Sequence, residues 1–336
     1  MTTRPVRFGL IGTGRIGQVH AASIAASPDT ELAWVADTVV AGARSTAARY
    51  GGTATDDVEE MIAAGEVDAL LVASPTATHI DLIGRAVEAG LAVLCEKPID
   101  LDIARVEALR PRIASSGVPV AIGFNRRFDP GFAAVRARVA AGEIGALEQL
   151  SIVSRDPSAP PADYVGVSGG IFRDMTIHDF DMARFFLPDI VEVTATGSTV
   201  FDDGARAHGD FDTAVTVLRA ASGATVSITN SRHSAIGYDQ RLEAFGAAGM
   251  LQVANAGTSL VSFSGAVAVE ARPPYQEFFL ERYAEAYVAE LREFVKLVRG
   301  EPSTSPGFDD GRAALLLADA AQRSTVERTV VRVDLG

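Results

Sequence analysis

Residues Val6–Gly17 read VRFGLIGTGRIG, and this stretch decides the fold. Val6–Ile11 is a largely apolar run, followed at once by Gly12-Thr13-Gly14-Arg15-Ile16-Gly17 and then by a helical pattern. A buried strand running into G-x-G-x-x-G and a helix is a dinucleotide-binding turn. Gly12 makes the tight turn, Gly14 lets main chain come up to a pyrophosphate, and Gly17 lets helix and strand pack closely. Arg15 and Ile16 open the helix, whose free N–H groups and positive dipole end face the phosphates. Asp37 stands at the end of the second apolar run, about 20 residues past Gly17, where a carboxylate binds the ribose hydroxyls. It would repel a 2′-phosphate, and no basic residue follows before Arg44. The expected cofactor is therefore NAD, not NADP.

Outward from this stretch, short apolar runs alternate with amphipathic ones. Val6–Ile11, Glu31–Ala36, Asp68–Ala73, Leu91–Cys95 and Pro119–Gly123 read as strands. Helical patterns lie near Gly14–Ser27, Val39–Tyr50, Asp57–Ala64, Thr78–Ala89 and Leu101–Ser116. Continuous apolar strands between helices predict a doubly wound parallel sheet covered on both faces, a Rossmann domain over residues 1–124. The pattern then changes. After a helix near Asp129–Ala141, strands are expected at Ala146–Ser154, Val191–Thr199, Asp212–Ala220, Ala224–Asn230, Asp239–Phe245 and Leu251–Val253. Asp156–Gly170 reads as a loop, and Asp174–Phe186 and Phe279–Arg299 as helices. Tyr283, Tyr287, Phe294 and Leu297 form a stripe that reads as core. The overall class is α/β, with residues 125–336 forming an α+β domain on a large, open, mostly antiparallel sheet. The last helix, Asp309–Ser324, could pack on either domain.

Composition excludes several function classes. Thirty Lys+Arg against 43 Asp+Glu give a formal net charge of −13, unsuited to nucleic acid or anionic lipid. No segment approaches the length of a membrane span. The single cysteine, Cys95, allows no intramolecular disulfide and no multi-cysteine zinc site, so no metal is expected. The chain enters strand and turn chemistry within a few residues, without a signal-peptide pattern, and a cytoplasmic location is expected.

Candidate chemistry gathers at strand ends. Ser74-Pro75-Thr76-Ala77-Thr78-His79 follows the expected Asp68–Ala73 strand. Ser74, Thr76 and His79 are candidate cofactor contacts, although Thr76 or Thr78 would serve equally as a helix cap. Glu96-Lys97-Pro98 follows the next strand. Glu96 and Lys97 could face the cofactor, and Lys97 could exchange a proton with a substrate hydroxyl, although Glu-Lys-Pro alone also suits a charged turn. In GGIFRDMTIHDFD, Asp174 and His178 are spaced i, i+4, which puts them on one helix face with Asp181 continuing it. A carboxylate beside an imidazole can orient it as a general base. Further polar clusters lie at Asn125–Asp129, Ser154–Asp156, Ser231–His233 and Tyr238–Arg241.

Together these residues resemble the Gfo/Idh/MocA oxidoreductase family, and within it the inositol dehydrogenase branch. GLIGTGRIG, SPTATH, EKP, GFNRRFDPGF, GGIFRDMTIHDFDMARF and NSRHSAIGYDQRLEAFG carry the resemblance across essentially the whole chain. It implies that Lys97, Asp174 and His178 are the catalytic set. It also implies that Arg127, Asp156 and Tyr238, with that set, touch a polyol, and that the open sheet joins subunits, commonly in a homotetramer. Asn125 and His233 depart from the branch's usual pattern, which leaves the choice of polyol open. The implied reaction is NAD-dependent oxidation of a cyclic polyol to a ketone, with His178 as base, Asp174 orienting it and Lys97 stabilising the alkoxide. Myo-inositol is the first substrate expected, ahead of scyllo-inositol, D-chiro-inositol or a pyranose. A non-catalytic NAD-sensing regulator or an NAD-dependent glycosidase would share the fold but differ in turnover.

Overall fold

The structure, a computed structural model, describes residues 4–336. The chain divides into two compact units. The first comprises the chain up to Asn125 together with Ala286–Leu315, and the second comprises Arg126–Glu285 with Leu316–Gly336. A division at residue 124 leaves out this return of the chain, and the last helix, Phe308–Glu327, is shared between the two units.

The first unit holds six strands: β1 (Val6–Ile11), β2 (Thr30–Ala36), β3 (Thr53–Thr55), β4 (Ala69–Val72), β5 (Ala92–Glu96) and β6 (Val120–Gly123). They pair in the order β3-β2-β1-β4-β5-β6, parallel throughout. Strands β4, β5 and β6 are buried at every residue, as a sheet covered on both faces requires. Sequence patterning does not anticipate β3, because three residues at a sheet edge carry no apolar run. Leu291, Phe294 and Val295 from the returning helix Ala284–Val298 join Phe8, Leu10 and Leu71 in one core, with the Phe8 and Phe294 rings 6.0 Å apart. The expected stripe is buried at Tyr283, Tyr287 and Phe294 and partly buried at Leu297, although the helix itself is interrupted at Tyr283.

The second unit holds β7 (Leu147–Arg155), β8 (Ile190–Ser198), β9 (Thr213–Ala220), β10 (Thr225–Ser231), β11 (Asp239–Gly246), β12 (Gly249–Val253), the hairpin β13 (Phe263–Gly265) and β14 (Ala268–Ala271), and β15 (Val331–Arg332). Seven of them form a sheet in the order β12-β11-β7-β10-β9-β8-β15. Only β10 and β7 run parallel within it. Burial alternates along β9, so one face is packed and the other open. Val215, Val217, Phe245 and Met250 stand exposed on the open face.

Two expectations are corrected here. The loop expected over 156–170 contains a helix, Ala162–Ser168. The helix expected over Asp174–Phe186 is two pieces, Ile171–Asp174 and Ile177–Phe186. The break has a cause in hydrogen bonding. The N–H groups of Met175 and Thr176 both turn back to the carbonyl of Ile171, and the Thr176 carbonyl restarts the ladder by accepting from Asp179 and Phe180. The Thr176 hydroxyl donates to Asn230 Oδ1 at 2.8 Å, which ties the break to β10. Among the described residues, no helix is long and apolar enough to cross a membrane.

Candidate active site

The glycine turn of the first unit has the geometry that a nucleotide needs. Gly12 has φ +97°, and a Cβ there would lie 2.6 Å from the Ala73 backbone. A Cβ on Gly17 would lie 2.1 Å from the Gly12 carbonyl oxygen, so the helix Arg15–Ala26 can sit against β1 only with glycine there. Gly14 is different. It is exposed, and a Cβ would meet nothing within 4 Å. Steric need within the fold explains Gly12 and Gly17, whereas nothing in the fold itself demands a glycine at 14. Arg15 and Ile16 follow at the helix start, whose N-cap Gly14 has no side chain to cap it, and a helix start is the kind of place that receives phosphate.

Asp37 is oriented by the same turn. One carboxylate oxygen accepts from the Thr13 N–H at 2.8 Å and the Thr13 hydroxyl at 2.6 Å, and the other from the Val39 N–H at 2.8 Å. Burial works against its charge, but the Thr13 hydroxyl and these two N–H groups hold its pKa below the ordinary carboxylate value. A fixed anion at this place fits two ribose hydroxyls and repels a 2′-phosphate. Thr13 occupies a variable position of the glycine motif, so the motif alone does not disclose its part.

Four residues at the strand ends behave differently from expectation. His79 is 1% exposed, with Nδ1 at 2.7 Å from the Pro98 carbonyl and Nε2 at 2.8 Å from the Ser74 carbonyl. Both ring nitrogens are committed to main chain, so His79 braces the segments after β4 and β5 and is not placed to touch a cofactor. Glu96 is buried and pairs with His20 Nε2 at 2.7 Å, and the His20 ring meets Tyr287 edge-on. Its carboxylate faces into the fold. Ser74 and Thr78 hydroxyls lie 2.6 Å apart and Thr78 donates to the Pro75 carbonyl, so neither Thr76 nor Thr78 caps with its side chain. Thr76 and Lys97 are half-buried, at the carboxyl ends of β4 and β5.

The second unit gathers side chains from distant parts of the chain. Asp174 ends the short helix Ile171–Asp174. The Tyr164 hydroxyl donates to its Oδ1 at 2.8 Å, and Arg232 Nη1 donates to its Oδ2 at 3.2 Å. Tyr164 stays 46% exposed, yet desolvation at its hydroxyl, with the Asp174 charge, drives the phenol upward, so it stays a donor. His178 lies half-buried in the first turn of the next helix, so the break separates it from Asp174 and the two do not share one continuous helix. Asp156 follows β7, with its N–H on the Ser231 carbonyl at 2.9 Å. Tyr238 is buried against Tyr283, ring centroids 6.0 Å apart. Burial lifts the Tyr238 phenol well above its ordinary value, and it pushes Tyr283 up to about 12 against the pull of the Arg126 and Arg282 cations.

Arg126 links these groups. It is 4% exposed, bonds Ser154 at 2.9 Å and Asp179 at 2.5 Å, and stacks over Tyr283. Burial disfavours its charge, but Tyr283, Asp179, Tyr238 and Asp156 together raise its pKa. Arg127, the arginine expected beside the polyol, makes a two-pronged ion pair with the buried Asp181, at 2.8 and 2.5 Å, and lies over Phe185. Asp181 therefore pairs with Arg127 from the helix that also carries His178, three residues earlier, whereas Asp174 lies on the preceding short helix. Arg126, one residue earlier, is electrostatically coupled to Asp156 and Tyr238. Tyr164 comes from a segment with no periodicity, and sequence patterning has no signal for it.

Comparison with known proteins agrees with both halves. Residues 6–124 match the model of an oxidoreductase family with an NAD-binding Rossmann fold, and residues 132–252 match the GFO/IDH/MocA C-terminal domain. The chain is 45% identical over 329 residues to the inositol 2-dehydrogenase of Rhizobium meliloti, covering 98% of this chain and 99% of that one. Its fold is similar to that of a myo-inositol dehydrogenase from Corynebacterium glutamicum, with TM-score 0.95, 51% identity and coverage of 98% and 99%. It is also similar to a scyllo-inositol dehydrogenase from Lactobacillus casei solved with NAD(H) and scyllo-inositol, at TM-score 0.90, 28% identity and coverage of 98% and 99%.

Proposed function

Since the chain belongs to the GFO/IDH/MocA family of NAD-binding oxidoreductases, we propose that it oxidises one secondary alcohol of a cyclic polyol to a ketone, with myo-inositol as the first substrate and scyllo-inosose (2-keto-myo-inositol) as the product. The observation that carries this reading is the polar cluster of the second unit. Arg126, Asp156, Tyr164, Asp174, Arg232 and Tyr238 form one electrostatically coupled set. Such a set of fixed donors and acceptors matches a ligand whose surface is hydroxyl all round. The relatives named for inositol isomers support the same substrate class.

NAD, when bound, accepts the hydride. The groups that fit it are Gly12, Gly14 and the helix start at Arg15 and Ile16 for the pyrophosphate, and Asp37 for the ribose. Ser74 and Thr76 offer hydroxyls nearby in sequence, and Lys97 completes the set. In the reaction, His178 removes the hydroxyl proton from the carbinol. Asp174 holds a neighbouring hydroxyl or the imidazole in place, and Lys97 stabilises the developing alkoxide. Arg126, Asp156 and Tyr238 orient the ring, and Arg127 supports the helix that bears His178 through Asp181. Positioning supplies much of the acceleration.

The first unit serves as the NAD-binding domain and the second as the substrate-binding and subunit-contact domain. Exposed Val215, Val217, Phe245 and Met250 on the open sheet face support a homo-oligomer, a tetramer in the simplest case. A cytoplasmic location suits an enzyme that shares a diffusible NAD pool. The test is NADH formation by the purified protein, with NAD and NADP offered in turn against inositol isomers and pyranoses. Fast turnover on one inositol with NAD supports the reading. Turnover only on an aldose moves the substrate class, and tight NAD binding without any turnover favours a sensing role.

A further inference from the structure

Asp174 is gripped from two sides, and one grip reaches further into the fold. Arg232, 1% exposed, donates through Nη1 to Asp174 and through Nη2 to Asp210 Oδ2 at 3.3 Å. The other oxygen of Asp210 accepts the Ile171 N–H at 2.9 Å. Ile171 is the first residue of the four-residue helix that ends at Asp174. The buried guanidinium therefore spans the anion that caps the start of this helix and the anion at its end. Gly170 makes room for the arrangement, because it has φ +85° and a Cβ there would lie 2.8 Å from Asp210 Oδ1.

The hydrogen bonds of Arg232 are concentrated on the two acids: its terminal nitrogens are held at Asp174 and Asp210, and its Nε has no partner in the protein. Of the two acids Asp174 is the one that keeps more of its side chain at the surface, 15% against 7%. We propose that Arg232 and Asp210 form a positioning pair for polyol oxidation, locking Asp174 as an oriented anion that accepts hydrogen bonds, with the Tyr164 hydroxyl as the outer latch. The proposal rests on the placement of Asp174 at the polyol site.

A carboxylate with an arginine on one oxygen and a phenol on the other has lost its freedom to rotate, and its remaining lone pairs point in fixed directions. Loss of that lock moves Asp174 by a fraction of an ångström to an ångström, a displacement that costs up to about 100-fold in turnover.

The test is steady-state NAD-dependent polyol oxidation by full-length Arg232→Lys, Asp210→Asn, Tyr164→Phe and Asp174→Asn, with NAD titration and thermal melting of each. Arg232→Lys keeps the charge but replaces the planar fork that reaches both acids with a compact ammonium on a shorter side chain, and Asp210→Asn keeps an acceptor for Ile171. Each is expected to lower kcat about 10- to 100-fold with NAD affinity unchanged. Tyr164→Phe alters an exposed side chain and is expected to lower kcat several-fold. If Arg232→Lys and Asp210→Asn are folded and keep kcat within about twofold while Asp174→Asn is inactive, the pair is not a positioning device and the role of Asp174 stands. Full turnover by Asp174→Asn removes that role and the proposal with it. Should Arg232→Lys fail to fold, unchanged kcat in both Asp210→Asn and Tyr164→Phe overturns the proposal. Parallel losses of turnover and NAD affinity would mark general destabilisation and overturn it too.

Discussion

A ligand approaching the first unit meets main chain, whereas one approaching the second meets side chains. Gly12 and Gly14 shape a main-chain turn at the start of the helix Arg15–Ala26, and a single carboxylate, Asp37, held by the Thr13 N–H, completes the cradle. Arg126, Asp156, Tyr164, Asp174, Arg232 and Tyr238 offer guanidinium, carboxylate and phenol groups from more than a hundred residues of chain. The first arrangement suits a cofactor whose phosphates and ribose never vary. On the proposed reading the second would let one epimer be told from another, because each hydroxyl of a polyol ring would meet a different side chain, and a hydroxyl left unpaired at a buried site is costly.

The contrast predicts where substitutions act. The largest effect belongs to the second unit: His178→Ala should lower polyol oxidation by about 10²–10⁴-fold while leaving NAD binding intact. An oxidation rate insensitive to this change would remove His178 as the base, and a rate abolished only by Lys97→Ala would transfer that role to Lys97.

Next comes the adjacent pair of arginines. Arg127→Ala leaves Asp181 buried without its partner and should cost about 3–5 kcal/mol of stability, with kcat/KM per folded enzyme little changed. Arg126→Gln should raise the polyol KM or lower kcat. Thermal melting and kinetics on the two variants separate them, and the reverse pattern would restore Arg127 to the polyol.

Cofactor substitutions rank below these. Asp37→Ala removes charge-assisted hydrogen bonds and should weaken NAD by about 10- to 100-fold, with NADP weakened less. The folded pKa of Asp37 is depressed, so the stability its charge contributes is fully present above the unfolded value, about 3.9, and is lost only as pH falls through the lower folded value. NAD affinity should accordingly stay flat from pH 8 to about pH 5 as far as Asp37 governs it, and a titration that drops near pH 6 would point to another group. The smallest effect is Thr13→Val, which removes one hydrogen bond to Asp37 and should weaken NAD by about fivefold. Gly14→Ala and Gly17→Ala complete the contrast. The first should weaken NAD at unchanged melting temperature, and the second should lower the melting temperature, because only Gly17 is packed against the fold.

Sequence spacing disclosed the glycine turn, Asp37 and the parallel strands, because each depends on residues a few positions apart. It disclosed less of the second unit. Asp174 and His178 were recognisable as a pair, but their i, i+4 spacing implied one helix, and the break between them is tied through Thr176 to Asn230, on a strand more than fifty residues later. Adjacent arginines at 126 and 127 are equivalent by spacing, and only the 3₁₀ turn Asn125–Phe128 sends them different ways, one to Asp179 and the other to Asp181. Glu96 and His79 stood at strand ends where ligands bind, and their buried partners, His20 and the carbonyls of Ser74 and Pro98, turned them inward.

The sequence by itself thus determined the class of the protein: a parallel sheet with a dinucleotide turn, an acid that selects NAD, and a second domain of mostly antiparallel strands. Those features follow from local sterics and from hydrophobic period, which neighbouring residues fix among themselves. Tertiary structure alone decided which polar side chains gather in the cluster of the second unit and which turn inward to brace the fold. A buried polar group must find a partner, and the partners of Asp174, Arg126 and Glu96 are supplied by segments that only folding brings near.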